Sequence, residues 1–414
     1  MLFDIYCHKH DGTCYTTTHN LVEYFHFYHV TIYENSTKVN TRDTIPMSYI
    51  FIIVIATIQL LLVLVHVVLF KTIEHIFLPT DHITLIIKII GSIAAISFVA
   101  ASLIAFYYNT LVTRIIYTTA SVWLGIVLYA LMASALYWGI LFLAPGLQPH
   151  QKTIGMVLLI GAVGISVYGF INAQTIRITQ IKIPLPSLPA AWQGKKAVWI
   201  SDIHLGQVHG REFADTIVKK IQTLQPDIVF IGGDLYDGVT VQEHHVIEPF
   251  AQLHAPWGVY FITGNHEEFR DPEPYLKAIR AAGIRILSNE MVNVAGVQII
   301  GVDYRNTDTN KKFKEVLTHL AYDPHQPNIL LKHVPLELRT AQEAGFNVQL
   351  SGHTHRAQVF PFNLLTAALY HRFDYGLHRH GPMWVYTSDG VGTWGPPMRI
   401  GSGAEIVLIT FVQA

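Results

Sequence analysis

Charge is scarce in this chain. Asp, Glu, Lys and Arg make up 14% of its 414 residues, while 51% are hydrophobic. A soluble globular protein carries about 25% charged residues, so this composition excludes one water-soluble globule throughout. Charge of one sign is missing too. The formal net charge is −1, which leaves no global field to hold a nucleic acid polymer. Cysteine is nearly absent: only Cys7 and Cys14 occur. Disulfides are thereby excluded from the remainder of the chain, and the redox compartment stays open. With His8 and His10 the two cysteines form a group whose spacing fits no standard zinc pattern.

Long apolar runs are what the chain has instead. Residues 48–70 hold no charged side chain, and further runs cover about 86–107, 118–143 and 153–172. Each is long enough to span a bilayer. Lys88 sits near one end of its run, where it can snorkel to the interface. Gly155, Gly161, Gly164 and Gly169 allow close helix packing in the last run. The connections are short, which predicts an all-α bundle of four transmembrane helices. No buried acidic pair or ladder of ionisable groups marks a transport path. The first run is too long for a signal peptide and has no small-residue cleavage site, so it reads as an anchor. Residues 1–46 are polar, rich in His and Tyr and without a clear period. They read as a poorly ordered extension, with Met47 as the true start; Asn35-Ser36-Thr37 within them is a formal glycosylation sequon. An even number of spans puts both termini on one side. That side carries Arg114, Arg177 and Lys182, against Lys71 and Lys152 opposite. The bias predicts a multi-pass protein of the cell membrane with its globular part in the cytoplasm.

The character changes at residue 174, which gives three parts: 1–46, 47–173 and 174–414. Residues 175–183 alternate apolar and polar, as an edge strand with one wet face does. Beyond Pro184, Pro186 and Pro189, short apolar strands alternate with helical stretches: an α/β sandwich with strands inside and helices outside. The strands end in a recurring way. Ala197–Ile200 runs into Ser201-Asp202-Ile203-His204, and an Asp and a His two apart on an extended segment point the same way. Ile228–Ile231 runs into Gly232-Gly233-Asp234, and Val259–Ile262 into Gly264-Asn265-His266-Glu267. Ile329–Leu331 runs into Lys332-His333, and Val348–Leu350 into Gly352-His353-Thr354-His355. Ligands bind at the carboxyl ends of strands in such sheets. Glycine just before Asp234, Asn265 and His353 lets the backbone turn sharply there.

As a set, in order and spacing, Asp202-x-His204, Gly233-Asp234, Gly264-Asn265-His266-Glu267, His333 and Gly352-His353-Thr354-His355 resemble the motifs of the calcineurin-like metallophosphoesterases. The resemblance covers about residues 185–414. The closing stretch, from Thr387-Ser388-Asp389-Gly390 through Pro397-Met398-Arg399-Ile400 to Glu405, is similar to that of the family's membrane-linked branch. The resemblance implies a four-layer α/β/β/α sandwich. It also implies two divalent metal ions, one held by Asp202, His204 and His355, the other by Asn265, His333 and His353, with Asp234 bridging. His266 would not be a ligand but would donate a proton to, or stabilise, the leaving group. Where the branch carries two glycines after the final histidine, this chain has Arg356 and Ala357, so the rim of the site departs from it.

The chemistry also stands on physical grounds. A bridging carboxylate offsets the repulsion of two cations, and the pair activates water and clamps phosphoryl oxygens. Oxygen and imidazole ligands without thiolate suit Mn, Fe or Zn. No activated Ser or Cys sits among the motifs, so no covalent phosphoenzyme is required. The expected function is a membrane-anchored phosphohydrolase in which metal-bound hydroxide attacks a phosphoester or pyrophosphate. The short tether between the last span and Asp202 favours a lipid-linked phosphate. The alternatives are a phosphodiesterase acting on a soluble nucleotide and a non-catalytic metal-binding membrane scaffold. Asp237 and Glu267 are candidates to orient ligand histidines. Arg270, Arg305 and Arg356 are candidates for phosphate contact. The apolar stretch from Phe360 to Phe373 reads as packing beneath a long loop, with a membrane-facing entrance as the other reading.

Overall fold

The computed structural model of the chain describes residues 4–7, 14–17, 47–269 and 271–414. The side chains of Cys7 and Cys14, residues His8 and His10, the Asn35 sequon, the character of 1–46 as a whole, and Arg270 lie outside the described residues. Two short strands, β1 (Asp4–Cys7) and β2 (Cys14–Thr17), pair antiparallel.

Four helices long and apolar enough to cross a membrane follow: α1 (Met47–Phe77), α2 (Asp81–Tyr107), α3 (Leu111–Leu143) and α4 (Gln151–Gln174). Each outruns the apolar stretch that signals it. α1 continues past Lys71 through an ion pair to Glu74 one turn on. α3 starts seven residues early because Thr110 and Thr113 cap it reciprocally. A capped polar turn extends a helix without any apolar residue. The bundle turns most of its leucines and isoleucines outward, and small residues such as Ala101, Ala105, Ala120 and Ala162 lie inside. Gly155 lies against Ile76, where a Cβ would collide with the Ile76 side chain.

Two six-stranded sheets make the rest. In the first, β3 (Arg177–Leu185), β14 (Glu405–Gln413), β4 (Lys196–Ile200), β5 (Ile228–Ile231), β6 (Val259–Phe261) and β7 (Arg285–Ile286) lie side by side. The second runs β12 (Gly376–His380), β13 (Met383–Thr387), β11 (Val348–Ser351), β10 (Asn328–Leu331), β9 (Val297–Gly301) and β8 (Glu290–Val294). β4 to β7 are parallel, as are β9, β10, β11 and β13. β3 is an edge strand, as its alternation predicts, and Pro184 lies within it. An edge strand tolerates a missing N–H.

Alternate residues of each strand enter different cores. Val198, Ile200, Val229 and Ile231 pack under α5 (Arg211–Leu224) on Ala214, Ile217 and Val218. Trp199, Ile228 and Phe230 pack instead on Ile299, Ile329, Leu331 and Leu350 of the other sheet. Ile300, Leu330 and Val385 meet Phe313 and Leu338 of the outer helices. The order helix, sheet, sheet, helix is the four-layer α/β/β/α sandwich. Pro249 breaks the helix expected over 241–253 into α6 (Glu243–Ile247) and a 3₁₀ turn. The remaining helices are α7 (Asn265–Glu268), α8 (Glu273–Ala281), α9 (Asn310–His319), α10 (Leu338–Glu343) and α11 (Asn363–Tyr370). α7, α11, β8 and β12 are too short or too weakly periodic to stand out in the sequence.

Candidate active site

The loops after β4, β5, β6, β10 and β11 converge on one point between the sheets. Asp202 and His204 do reach it together, but not as neighbours on an extended strand. β4 ends at Ile200, and Asp202 and His204 both have left-handed backbones, with φ of 56° and 53°. Asp234, His353 and His355 do the same, at 52°, 70° and 46°. This region is unfavourable for residues with a Cβ, and such conformations persist only where surrounding bonds over-determine them. Here the N–H groups of Asp202, Ile203 and His204 donate to the carbonyls of Gly233 and Asp234, at 2.8–3.0 Å. Two glycines are required by close approach. A Cβ at Gly233 would stand 2.6 Å from the Gly264 nitrogen, and one at Gly352 would collide with Asp202 and Ser201.

The converging side chains are crowded and, apart from the partly exposed His353 and His355, buried. His204 Nε2 lies 2.9 Å from His355 Nε2, and His355 Nε2 lies 3.4 Å from Asp202 Oδ1. Asp234 Oδ2 lies 3.2 Å from His333 Nε2, 3.9 Å from His204 Nε2 and 4.0 Å from His266 Nε2. Asn265 Oδ1 is 2.9 Å from His353 Nδ1. Three groups have potential ligand atoms within 4.8 Å of one another: Asp202, His204 and His355; His204, Asp234 and His266; and Asp234, His333 and His353. Asp234 belongs to two of them. His204 Nδ1 and His333 Nε2 are buried without a hydrogen-bond partner. Buried imidazole and carboxylate atoms left facing one another fit a cation, so the donor set suits divalent metal. All eight residues singled out from the sequence are here.

Hydrogen bonds set the ring orientations. Nδ1–H of His333 donates to the Gly232 carbonyl at 2.7 Å and that of His266 to the Asp237 carbonyl at 3.0 Å. Both rings therefore present Nε2 to the centre. Burial works against charge on His333, but the Asp234 carboxylate outweighs it and raises the imidazole to about 9. Burial likewise opposes ionisation of Asp234, yet His333 and then His266 hold it well below the usual carboxylate range. Burial pulls His204, His266 and His355 down, and pushes Asp202 up despite the neighbouring His333.

The neighbours correct several expectations. Asp237 does approach a histidine, with Oδ1 at 3.5 Å from His204 Nδ1, and burial raises its carboxyl to about 7. Glu267 does not touch one. Its carboxylate accepts the backbone N–H groups of Asp234, Tyr236 and Gly264, at 2.8–3.0 Å, and so binds the β5 loop to the β6 loop. Arg305 donates to the Glu268 carbonyl, and Arg356 lies over the Tyr375 ring at 5.0 Å. The stretch from Phe360 to Leu369 is not beneath a loop; Phe360, Phe362, Leu364, Leu365 and Leu369 are all exposed.

Arg399 was not singled out as a site residue. It is fully buried and donates to the carbonyls of Asp389, Gly390 and Gly392, while its guanidinium lies 3.4 Å from His355 Nδ1. Its backbone N–H donates to the Gly169 carbonyl, and Asn172 donates to the Arg399 carbonyl. One residue thus joins α4 to a site histidine. A lone arginine in the apolar run Pro396-Pro397-Met398-Arg399-Ile400 was the available signal.

Strand-end carboxylates and imidazoles in an α/β/β/α sandwich, with metal-ligand groups sharing one aspartate, define a metallophosphoesterase fold and site. Residues 195–357 match the family model of the calcineurin-like phosphoesterases. The chain is 35% identical over 271 residues to the transmembrane protein with metallophosphoesterase domain of Bos taurus, covering 60% of each chain. To the protein of the same name from Danio rerio it is 34% identical, over 63% of this chain and 62% of that one. It is 31% identical to an uncharacterized metallophosphoesterase of Aquifex aeolicus, over 60% of this chain and 97% of the relative. The chain belongs to the calcineurin-like phosphoesterases. It matches about three fifths of the length of the two vertebrate proteins.

Proposed function

We propose that the chain is a membrane-anchored, dinuclear metal-dependent phosphohydrolase acting on a lipid-linked phosphoester or pyrophosphate. The observation that carries the reading is Asp234, shared between one ligand group on the His204 side and another on the His333 side. Asp202, His204 and His355 would hold one divalent ion, Asn265, His333 and His353 the other, with Asp234 shared; Mn, Fe and Zn suit these donors. Bound ions of this kind supply Lewis acidity toward phosphoryl oxygens and lower the pKa of water. Asn265 contributes an oxygen without charge, which keeps the count of anionic ligands at two. His266, with Nδ1 committed to the Asp237 carbonyl, offers Nε2 to protonate the leaving oxygen. Arg399 braces His355 and, through Gly169 and Asn172, keeps the site against the membrane bundle. That seam supports a substrate drawn from the bilayer. The small excess of basic residues on the sandwich side supports a site on the cytoplasmic face of the cell membrane.

The test uses full-length protein in lipid nanodiscs, stripped with chelator and reloaded with Mn(II), Fe(II) or Zn(II). Two equivalents of metal per chain are expected, with turnover of a phospholipid phosphomonoester or pyrophosphate that exceeds turnover of a soluble nucleotide phosphodiester. His266→Ala should keep the metal and lose about 10²–10⁴-fold in rate. Preference for the nucleotide would overturn the substrate. Two bound metals with no turnover of any of these, in wild type and variant alike, would leave a metal-binding scaffold.

A further inference from the structure

α11 inverts the pattern of the other sandwich helices. α5 buries Ala214, Ile217, Val218 and Ile221 and exposes Glu212, Thr216 and Lys219. α11 buries its threonine, Thr366, and exposes Leu364, Leu365, Ala367, Ala368 and Leu369. Leu364 is 62% exposed and Leu369 54%. Phe360 and Phe362 extend the same surface, and no charged side chain occurs from Phe360 to Tyr370. In water an exposed helix face carries polar residues. The same arrangement, leucine and isoleucine outside with small or polar residues inside, is found on α2 and α4.

Position agrees with pattern. The Tyr129 hydroxyl of α3 donates to the Phe360 carbonyl at 2.8 Å. Val359 packs in a cluster with Tyr129, Ala133, Ala162 and Met398. α3 has 33 residues, about 50 Å at a rise of about 1.5 Å per residue, and Tyr129 stands about 21 Å from its far end at Leu143. The hydrocarbon slab is about 30 Å thick. With Leu143 at the far boundary, Tyr129 lies within the slab, and the segment tied to it enters from the sandwich side.

We propose that α11 rests in the leaflet nearest the sandwich, with Phe362, Leu364, Leu365 and Leu369 among acyl chains. The exposed His371, Arg372 and Arg379 that follow suit the headgroup layer, as basic residues do on helices lying in a membrane interface. The occupant is lipid and not a second copy of the chain, because the bond to Tyr129 and the packing of Val359 on α3 and α4 hold the segment against the bundle at membrane depth. The consequence is local to the site. α11 lies between His355 and β12, and the Tyr370 ring at its end is 6.3 Å from the His353 ring. The leaflet thus reaches the rim of the metal-ligand cluster. The placement holds whether or not the site hydrolyses phosphate.

The test is spin-label depth measurement on the full chain in phosphatidylcholine vesicles containing phosphatidylglycerol. Cys7→Ser and Cys14→Ser remove the native thiols, and single cysteines are placed at Leu365 (L365C), at Ile90 on α2 (I90C) and at Lys314 on α9 (K314C). The label at position 365 should be relaxed by oxygen within about twofold of the label at 90, and by aqueous nickel chelate about tenfold less than the label at 314, as burial about 5–10 Å into the interface requires. L369C repeats the measurement should L365C disturb the fold. Nickel access equal to that at position 314 would place α11 in water and overturn the proposal. Exclusion of both reagents, with spin broadening that disappears on dilution with lipid, would mean a second copy covers it and would overturn it equally.

Discussion

In the bundle, Leu61, Ile90 and Ile160 face outward while Ala101, Ala105, Ser121 and Ser134 are buried. In the sandwich, Trp199, Phe230 and Ile329 are buried while Glu212, Lys219 and Lys314 face outward. One chain therefore obeys two sorting rules, because its halves meet two solvents. Where lipid surrounds a helix, apolar burial provides no drive and small residues allow close contact. Where water surrounds it, apolar burial is the main drive. The sandwich then does something the bundle does not. It buries Asp202, Asp234, His204 and His333 together at its centre, a cost it bears for chemistry.

The largest expected effect tests that difference. Asp234→Ala removes the carboxylate common to two ligand groups. Turnover by metal-loaded protein should fall on the order of 10³-fold or more, the scale for losing a principal electrostatic group at a reaction centre. Metal content measured alongside should fall below that of wild type. A variant that keeps more than about a tenth of wild-type kcat/KM would show that the buried charges are structural and erase the contrast.

Next comes a matched pair of truncations. Trp199→Ala empties a fully buried site between the two sheets and should cost about 3–5 kcal/mol. Thermal unfolding in nanodiscs should drop by roughly 6–20 °C for a unit of this size. Leu61→Ala, at a residue 55% exposed on α1, should change stability by less than about 0.5 kcal/mol. Equal shifts would mean that α1 is packed against protein at Leu61, and the lipid-facing rule would fail there.

The sequence makes the ligands legible because metal chemistry admits few residue types and the strands that carry them are short, apolar and evenly spaced. Asp202, His204, Asp234, Asn265, His266, His333, His353 and His355 all stand at strand ends for that reason. It does not make their backbone legible. The left-handed turns at Asp202, His204 and Asp234 depend on hydrogen bonds between the β4 and β5 loops, and tertiary bonds leave no local pattern. Glu267 is similar: its proximity to the ligands suggests a histidine partner, whereas its bonds go to three backbone N–H groups on two loops. The apolar run from Phe360 was readable as apolar, but the period of an eight-residue helix cannot say whether its leucines face a core or a bilayer. The extra turns of α1 and α3 escaped for another reason, since hydropathy marks the span, whereas an ion pair on α1 and a cap on α3 carry the helix beyond it.

A smaller effect probes the network that orients a ligand. Asp237→Asn keeps size but removes charge opposite His204 Nδ1. Loss of such an orienting partner typically costs about 10–100-fold in metal affinity or activity. Competition with a fluorescent chelator reads the affinity directly. If affinity is unchanged while the rate falls, the Asp237 carboxylate acts through its charge on His266 and not on His204, since the backbone carbonyl bond to the His266 ring is kept in the variant.

The smallest loss expected of a broken contact lies at the sandwich surface, far from the metal ligands. Asp227 pairs with Lys195 Nζ at 2.8 Å and accepts the Lys196 backbone N–H at 2.9 Å. Partial burial alone would raise its carboxyl, but those two partners outweigh burial and lower it. A carboxyl lowered in the folded state stabilises fully above its unfolded pKa, and the contribution is lost as pH falls through the folded value. Asp227→Asn should therefore cost about 0.5–1 kcal/mol near neutrality, a drop of roughly 1–4 °C in Tm. Below the lowered pKa the variant and wild type should converge. Melting curves of both proteins across that acid range provide the check. A difference that persists at the acid end would mean the loss comes from the amide's packing and not from the carboxylate's charge.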